Sequence, residues 1–380
     1  MSTFEQYGCI YQTIDLQQFE DEENEIHLIK KTRGLVQTFK KVKHIDYFTN
    51  NEIKILNTLS YNQSIASNVY AGQGCSKFLN TFSSFTPVKQ TKYPAKPKGS
   101  KGLTGDPPNN NNNSYGLFYY DSKRAGSKPL LHHIPLSTCA RDFYLILINT
   151  FKYSLNCLAY LKHSDLIHLG MSNDSITVSE DQCEVFVGDV GLMQFTHDVF
   201  STDSKLMSVV IHSIDRLAEK EEKDRVFVYP IEIMMLVFMH MNGLSSISSH
   251  NVDTIVSSFL KQNPLLVNIS EAFYQTHCTS VLQQYINIPK TTILENMLKE
   301  KIGQTWNLFS LSMIYLNILM NIRNPNIIKS GFFNKWFKLL VLNTHPDYKK
   351  RKPIEDNMTL FSKLCYSNTL SEFTYSLNNL

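Results

Sequence analysis

The sequence lacks the cysteine pattern of a disulfide framework or a zinc site. Its seven cysteines are scattered along the chain, and no two of them form a C-x-x-C pair. This distribution is typical of free thiols in a reducing compartment. The N-terminal stretch MSTFEQYGCI contains neither a basic region nor an apolar run, so we expect no signal peptide. These absences predict an intracellular protein, cytoplasmic or nuclear.

Long apolar segments and a strong net charge are also missing. The most apolar runs, residues 231–239 and 308–322, are short or interrupted by Ser and Asn, which favours core helices over membrane spans. The net charge of +3 is too small to indicate nucleic acid or an anionic membrane as the main partner. With 380 residues, 42% of them hydrophobic, the chain can bury a substantial core. We therefore expect a globular protein whose main partner is neither nucleic acid nor a membrane.

Several catalytic motifs are absent as well. The sequence contains no G-x-S-x-G, no H-E-x-x-H and no P-loop G-x-x-x-x-G-K-[ST]. His132 and His133 are adjacent to each other but have no carboxylate or cysteine at adjoining positions, so a loop is favoured over a metal site. Because these motifs are absent, the sequence gives no support for a serine hydrolase, a zinc protease or a P-loop nucleotide hydrolase.

The most informative stretch lies between residues 158 and 192. It contains a helix end, a polar loop from His168 to Ser175, two β-type runs at 176–178 and 185–187, and the turn Gly188-Asp189-Val190-Gly191. This order resembles the centre of a protein kinase, where a long helix, the catalytic loop, a hairpin and the metal-binding D-F-G turn follow one another.

The resemblance implies a kinase scaffold that has lost its chemistry. Active members carry H-x-D-x-K-x-x-N in the catalytic loop. In this frame His168 holds the histidine position, while Gly170, Ser172 and Ser175 replace the catalytic aspartate, the lysine and the metal-binding asparagine. Asp189 alone retains a metal-binding position. Phosphoryl transfer needs a hydroxyl-orienting carboxylate, a cation against the phosphate charge and two metal ligands, so the resemblance implies a pseudokinase.

A second register of the catalytic loop remains open. His163-Ser164-Asp165-Leu166 is itself an H-x-D-L string. With Asp165 as the catalytic aspartate, Gly170 would fall on the asparagine position, and the spacing to Asp189 would be longer than usual. The register with Gly170 at the aspartate position is therefore favoured.

Residues 1–127 resemble the small, β-rich lobe of a kinase. Gly8 matches the last glycine of the glycine-rich loop, but Thr3 and Glu5 stand where the two earlier glycines would be. Those glycines allow backbone N–H groups to approach the phosphates, whereas a carboxylate at Glu5 would repel them. An ordinary strand or turn glycine is the alternative interpretation of Gly8.

A predicted strand over residues 34–42 and a predicted helix over residues 50–59 follow. Lys40 falls where kinases place the phosphate-pairing lysine, with Lys41 as a competing choice on the opposite face of the strand. Glu52 is the candidate for the helix-borne glutamate that pairs with this lysine. The alternative is an exposed glutamate in the first helical turn, where the helix dipole favours a negative charge.

Residues 86–114 differ in composition from the rest of this part. Lysines alternate with prolines and glycines and lead into five consecutive asparagines, so the segment cannot bury enough apolar surface to fold, and we expect a disordered insert. A strand is predicted over residues 115–120, and the resemblance places the hinge between the lobes near residues 121–127.

Residues 128–380 resemble the large helical lobe of a kinase. Apolar residues recur at helical spacing from residue 137 onward and predict one long helix with a buried stripe: Phe143, Leu147, Phe151, Leu155 and Leu158. Residues 204–225 read as an amphipathic helix within the activation segment, where they would cover the substrate-docking surface. The interval between Glu232 and Asn307 is longer than in kinases, so we expect a helical insert there.

Three further positions are identified by the resemblance as structural. Glu232 matches the glutamate of the A-P-E motif, and Asn307 replaces the aspartate that opens the central helix motif D-x-[WF]-S-L-G. Arg351 matches the late arginine that pairs with that glutamate, so the resemblance implies a pair between Arg351 and Glu232. Because residues 349–352 form a basic run, a solvated patch is the alternative.

The sequence thus predicts an α+β protein with a bilobal kinase-like fold. Among kinases, its motifs bear a weak resemblance to those of the Wee-type cell-cycle kinases. The predicted function is that of a catalytically inactive pseudokinase that binds proteins as a regulator or scaffold. It would need no cofactor, although weak binding of Mg-ATP is compatible with the motifs. One alternative is a weakly active Ser/Thr/Tyr kinase in which Asp165 or Asp174 stands in for the missing base. Another is a structural subunit without a ligand.

Overall fold

The structure, a computed structural model, describes most of the chain from residue 140 onward and shorter parts before it. The described ranges are 2–6, 9–13, 26–30, 38–44, 47–65, 84–88, 115–121, 127–130, 140–179, 184–201, 203–218, 226–322 and 329–367. Within them the fold is α+β and mostly helical, as predicted. The predicted hinge at 121–127 lies almost wholly outside these ranges, since only its first and last residues are described, and Gly8 itself lies outside them as well.

The strands that precede residue 130 form small antiparallel sheets. The chain first forms β1 (Ser2–Gln6), β2 (Cys9–Thr13), β3 (Ile26–Lys30), β4 (Thr38–His44), β5 (Ser84–Val88), β6 (Tyr115–Asp121) and β7 (Lys128–Pro129). β1 pairs with β2, and a four-stranded sheet has the order β3-β4-β6-β5. β4 is a central strand, in which Lys40 pairs with Leu28 on one side and Tyr119 on the other.

Two strand predictions need correction. β4 ends at His44 rather than at residue 42, because its pairing with β6 continues to the pair His44 and Tyr115. β5 includes residues 86–88, which the sequence assigned to a disordered insert. These residues pair with β6, and Val88 lies opposite Tyr115. The rest of that insert lies outside the described residues.

Later strands are short and surround the central loop. They are β8 (Leu166–His168), β9 (Ile176–Val178), β10 (Val185–Val187) and β11 (Met193–Phe195). β9 and β10 have the bounds expected from sequence and form an antiparallel pair, with β7 on the other side of β9. β8 pairs with β11, which holds the start of the loop against the chain that follows residue 192.

Eleven helices are described in these ranges. They are α1 (Tyr47–Ile65), α2 (Ala140–His163), α3 (Thr196–Ser201), α4 (Asp203–Ala218), α5 (Ile231–Met241), α6 (Ser249–Gln262), α7 (Pro264–Gln283), α8 (Lys290–Lys299), α9 (Gly303–Met320), α10 (Gly331–Asn343) and α11 (Ile354–Cys365). No helix in the described part of the chain is long and apolar enough to cross a membrane.

The core is built around α2 and α9. The stripe predicted for α2 is buried at Leu147, Phe151, Leu155 and Leu158, and each such side chain stabilises the fold by about 1.5–3 kcal/mol. Phe151 lies at the centre of an aromatic cluster. Its ring centroid is 4.8 Å from Tyr315 of α9, 5.5 Å from Trp336 of α10 and 4.7 Å from Phe361 of α11.

The interval between Glu232 and Asn307 is helical, as predicted. It contains α6, α7 and α8. A capping box begins α6, in which the Ser248 hydroxyl accepts from the backbone N–H of Asn251 and the Asn251 amide oxygen accepts from the N–H of Ser248. α7 is interrupted at Ser270, whose φ of −171° and ψ of 96° are extended rather than helical.

Candidate functional site

The central loop connects β8 to β9 and is held from both ends. Leu169 donates its N–H to the carbonyl of Leu192, which continues the pairing of β8 with β11. A single 3-10 turn, Asn173–Ser175, then leads into β9. The loop positions that the sequence singled out therefore lie next to the turn at residues 188–192.

His168 has a structural role in this loop. Its Nε2 lies 3.0 Å from the carbonyl oxygen of Gly188, and the N–H of Gly170 lies 3.3 Å from its Nδ1. A carbonyl accepts and an N–H donates, so these partners place the proton on Nε2. Burial lowers the pKa of His168, and the nearby Asp189 carboxylate only partly opposes this shift. The ring is therefore a neutral link between the loop and the Asp189 turn.

Asn307 anchors the start of the same loop from α9. Its Oδ1 accepts from the backbone N–H of His168 at 2.8 Å, and its Nδ2 donates to the carbonyl of Leu166 at 3.3 Å. A carboxylate has no donor for the second bond, so an amide fits this position better than the aspartate of the kinase motif. The helix begins at Gly303, four residues before the expected start of the motif.

Ser175 and Asp189, which the resemblance to kinases matched to metal-binding positions, contact each other. The Ser175 hydroxyl donates to Oδ2 of Asp189 at 2.6 Å. The same Ser175 oxygen accepts from the backbone N–H of Ser172 at 3.0 Å, and the Ser172 hydroxyl lies 3.3 Å from it. Asp189 has a left-handed backbone with φ of 52°, a conformation that aspartate tolerates better than most residues. The Ser175 hydroxyl thus fixes one carboxylate oxygen of Asp189.

The space beside Gly170 is filled by other side chains. A Cβ atom placed on Gly170 would lie 2.6 Å from the Ser213 hydroxyl of α4 and would overlap the Leu192 side chain. Ser213 and Leu192 are both buried. A side chain at residue 170 therefore requires the Leu192 and Ser213 side chains to shift.

α1 packs on the Asp189 turn through residues that the sequence did not reveal. The Asn51 amide donates to the carbonyls of Gly191 and Met193, at 2.9 and 2.6 Å. A Cβ on Gly191 would lie 2.7 Å from the carbonyl oxygen of Phe48, so glycine is required at this contact. The Phe48 ring stacks on His212 of α4, with centroids 4.2 Å apart. No motif marks these residues, because their contacts join distant parts of the chain.

The predicted lysine–glutamate pair is only half described. Glu52 is 7% exposed, so the alternative interpretation of an exposed first-turn glutamate is wrong. Lys40 and Lys41 belong to β4, but the structure describes only the backbone of this strand and not the positions of their side chains. The pairing with Glu52 therefore stays a prediction, as does the assignment of Gly8.

The second register places its aspartate away from this cluster. Asp165 is exposed and adopts φ of 56° in the turn after α2. Its carbonyl accepts from the N–H and the hydroxyl of Thr196, at 2.8 and 3.1 Å. Asp174 is exposed as well. The loop at His168, rather than the one at His163, contacts the Asp189 turn.

The ion pair between Arg351 and Glu232 is present and wholly buried. Nη2 of Arg351 lies 2.9 and 3.0 Å from the two oxygens of Glu232, and both side chains are 0% exposed. Arg351 also donates to the carbonyls of His345 and Pro346 and to the hydroxyl of Thr305. Burial raises the pKa of Glu232, and the Arg351 guanidinium opposes that shift. The alternative of a solvated patch is thus wrong for Arg351, although Lys349, Lys350 and Lys352 are exposed.

Neither a metal-ligand cluster among the described residues nor a match to a known family accompanies this arrangement. The part of the chain that the structure describes contains no group of three or more His, Cys, Asp or Glu residues placed to hold a metal ion. The chain matches neither a model of a known protein family nor a curated protein.

Ser175→Ala tests the contact with Asp189. The change removes the acceptor for the Ser172 N–H, and it leaves one oxygen of the half-buried Asp189 carboxylate without the Ser175 donor. We expect it to lower the free energy of unfolding by about 1–3 kcal/mol, measured by urea denaturation. Ser201→Ala, at an exposed hydroxyl that donates to the nearby Asp198 carbonyl, is the matched control and should cost less. An equal loss in both variants would contradict a special role for Ser175.

Proposed function

We propose that the chain has a bilobal kinase-like fold and acts as a pseudokinase, binding other proteins as a regulator or scaffold without transferring phosphate. The single observation that carries this proposal is the filled space beside Gly170. The residue at this position has no side chain, and Leu192 and Ser213 occupy the space that the first side-chain atom of a catalytic aspartate would need. The order of β4, α1, the His168 loop and the Asp189 turn supports the kinase-like assignment.

The weakly active kinase is the less favoured function. It requires Asp165 or Asp174 to take over the role of the missing aspartate. Both side chains are exposed, and the volume next to Gly170, where a substrate hydroxyl would have to be oriented, is filled by buried side chains. Loss of a catalytic acid or base typically lowers a rate by orders of magnitude.

Nucleotide binding is expected to be weak. One oxygen of Asp189 already accepts a bond from Ser175, and serine replaces the second metal-binding position. Glu5 adds a carboxylate where the resemblance places the phosphates. Because metal and phosphate are both poorly held in such a site, we propose that Mg-ATP binds with a Kd of roughly 1 mM or weaker, which corresponds to about −4 kcal/mol.

A thermal-shift titration together with a phosphotransfer assay tests the proposed function. We expect no rise in the melting temperature at micromolar Mg-ATP and no phosphate transfer to the chain itself or to a generic protein substrate. Asp189→Asn is the control, and it should leave both readouts unchanged. Clear autophosphorylation that disappears in Asp189→Asn would establish the active kinase instead.

The protein-binding surface is proposed to lie on α4 and on the helical segment from α6 to α8. In the proposed kinase-like fold α4 would cover the face that a substrate uses, and α6, α7 and α8, of 14, 20 and 10 residues, each expose polar side chains. A structural subunit without any ligand would use the same surfaces to bind its neighbours. For both functions, we expect that proteins recovered with the full chain no longer bind when exposed residues of α6 are substituted. A partner that remains bound to such variants would contradict this location.

A further inference from the structure

A cluster of aromatic and imidazole rings joins α7 to the loop that follows α10. Phe273 and His277 lie on α7, and His345 lies in the loop. The ring centroids of His277 and His345 are 5.0 Å apart, and Phe273 lies 4.3 Å from His277 and 5.3 Å from His345. We refer to these three residues as the histidine cluster. Both histidines are half-buried.

The backbone of His345 is fixed by the buried ion pair. Nε of Arg351 donates to the carbonyl of His345 at 2.7 Å, and Nη2 donates to the carbonyl of Pro346 at 2.9 Å. The same Nη2 binds Glu232 of α5. His345 is thus attached to the core through its backbone, while its ring faces α7.

The hydrogen bond at the His345 ring defines which nitrogen is free to take a proton. The backbone N–H of Asp347 donates to Nδ1 of His345 at 3.0 Å. An acceptor nitrogen cannot carry a hydrogen, so the neutral ring is protonated at Nε2. A second proton has to enter at Nδ1, and the bond from Asp347 is then lost. The hydrogen bond from the Asp347 N–H therefore forms only with the neutral His345 ring.

The charges around the ring also disfavour a second proton. Burial lowers the pKa of His345, His277 and Arg351 lower it further, and Asp347 opposes the shift. The titratable and charged groups that face this region from α7, α5 and the loop itself are Tyr274, His277, Cys278, Glu232, Asp347 and Arg351. Of these, Glu232 is engaged by Arg351, which leaves Asp347 as the carboxylate nearest to a charged His345.

The part of α7 that carries the cluster is separated from the rest of the helix. Ser270 breaks the helical backbone just before Phe273. The segment from Glu271 to Gln283 is therefore a helical piece that follows a break from the first turns of α7. Besides its apolar contacts, it is held to the loop by the Tyr274 hydroxyl, which lies 2.9 Å from the Thr344 hydroxyl.

We propose that the histidine cluster is a pH-sensitive contact: a proton taken up at Nδ1 of His345 breaks the bond from Asp347 and loosens residues 271–283 of α7. The proposal concerns the attachment of one helix and goes beyond the absence of phosphoryl transfer.

The sign of the pH effect follows from the lowered pKa. Well above the ordinary histidine pKa of about 6.5, His345 is neutral in both the closed and the loosened state, and the contact is intact. As the pH falls below that value, the loosened state takes up the proton first, because its ring is no longer buried beside His277 and Arg351. The closed contact is therefore progressively disfavoured in mildly acidic solution.

Hydrogen exchange on the full chain tests this proposal. After correction for intrinsic rates, amides of residues 271–283 should exchange about three- to tenfold faster at pH 5.5 than at pH 7.5. Amides of α2 serve as the internal reference, and their corrected exchange rates should be the same at both pH values. His345→Asn keeps an acceptor for the Asp347 N–H but does not titrate, so it should preserve the slow exchange and remove its pH dependence.

His250→Asn is the matched control, because His250 is an exposed histidine on the neighbouring α6. It should retain the pH dependence of the natural protein. Unchanged pH dependence in His345→Asn, or equal loosening of α2, would overturn the proposal. If His345→Asn does not fold, the ring of His345 is titrated by NMR in the natural protein. A midpoint at or above about 6.5 would then overturn it.

Discussion

Arg351→Ala is expected to be among the most destabilising single substitutions in this chain. It leaves the Glu232 carboxylate, which is 0% exposed, without its cation, and it removes the donors to the carbonyls of His345 and Pro346. Removal of one partner from a buried ion pair typically costs about 3–5 kcal/mol. We expect a loss of this size in the free energy of unfolding, measured by urea denaturation.

Lys352→Ala is the matched control for this prediction. Lys352 is the next residue in the same basic run, but it is exposed, and surface substitutions usually change stability by less than about 0.5 kcal/mol. Similar losses in the two variants would show that the buried pair with Glu232 contributes no more than an exposed charge.

The second large effect is expected at Gly170. Gly170→Asp would introduce the residue type that active kinases carry at the matched position, yet its Cβ would overlap Leu192 and lie 2.6 Å from the Ser213 hydroxyl. Overpacking alone costs about 1–3 kcal/mol, and a buried carboxylate without a cation adds to this. We expect a melting temperature several degrees lower and no gain in phosphotransfer.

A double-mutant cycle isolates the steric part of this effect. Gly170→Ala adds a single methyl group, and Leu192→Ala removes the side chain that it would meet. If Leu192 fills the space, the double variant should lose less free energy of unfolding than the two single variants lose in sum, by at least about 0.5 kcal/mol. Additive losses would contradict the filled space, and phosphotransfer by Gly170→Asp would contradict the proposed function.

Local patterns in the sequence predicted much of the secondary structure. The runs at 176–178 and 185–187 became β9 and β10 because short β-branched and aromatic segments flanked by polar residues favour strands. The apolar period in α2 correctly identified Leu147, Phe151, Leu155 and Leu158 as core. The bounds of β4 were less predictable, since its last residues form a strand only through pairing with β6.

The site was harder to predict, because its contacts join residues far apart in the chain. The sequence showed that Gly170 lacks a side chain, but not that Leu192 and Ser213 fill the space. Asn51 carries no motif, yet it makes two bonds to the backbone near Asp189. The pair of Arg351 and Glu232 was accessible only through the resemblance to kinases, since neither residue lies in a distinctive local pattern.

The placement of α9 has a consequence for how the protein unfolds. Besides Asn307, which holds the His168 loop, this helix provides the Ser310 hydroxyl to the carbonyl of Val228 and the Tyr315 hydroxyl to Thr150 of α2. Buried polar atoms that lose their partners carry a large desolvation cost, so α9 cannot separate from any of these three segments alone. We therefore expect the loop, the chain before α5 and the long helix α2 to unfold together with α9 as one cooperative unit, in a single transition.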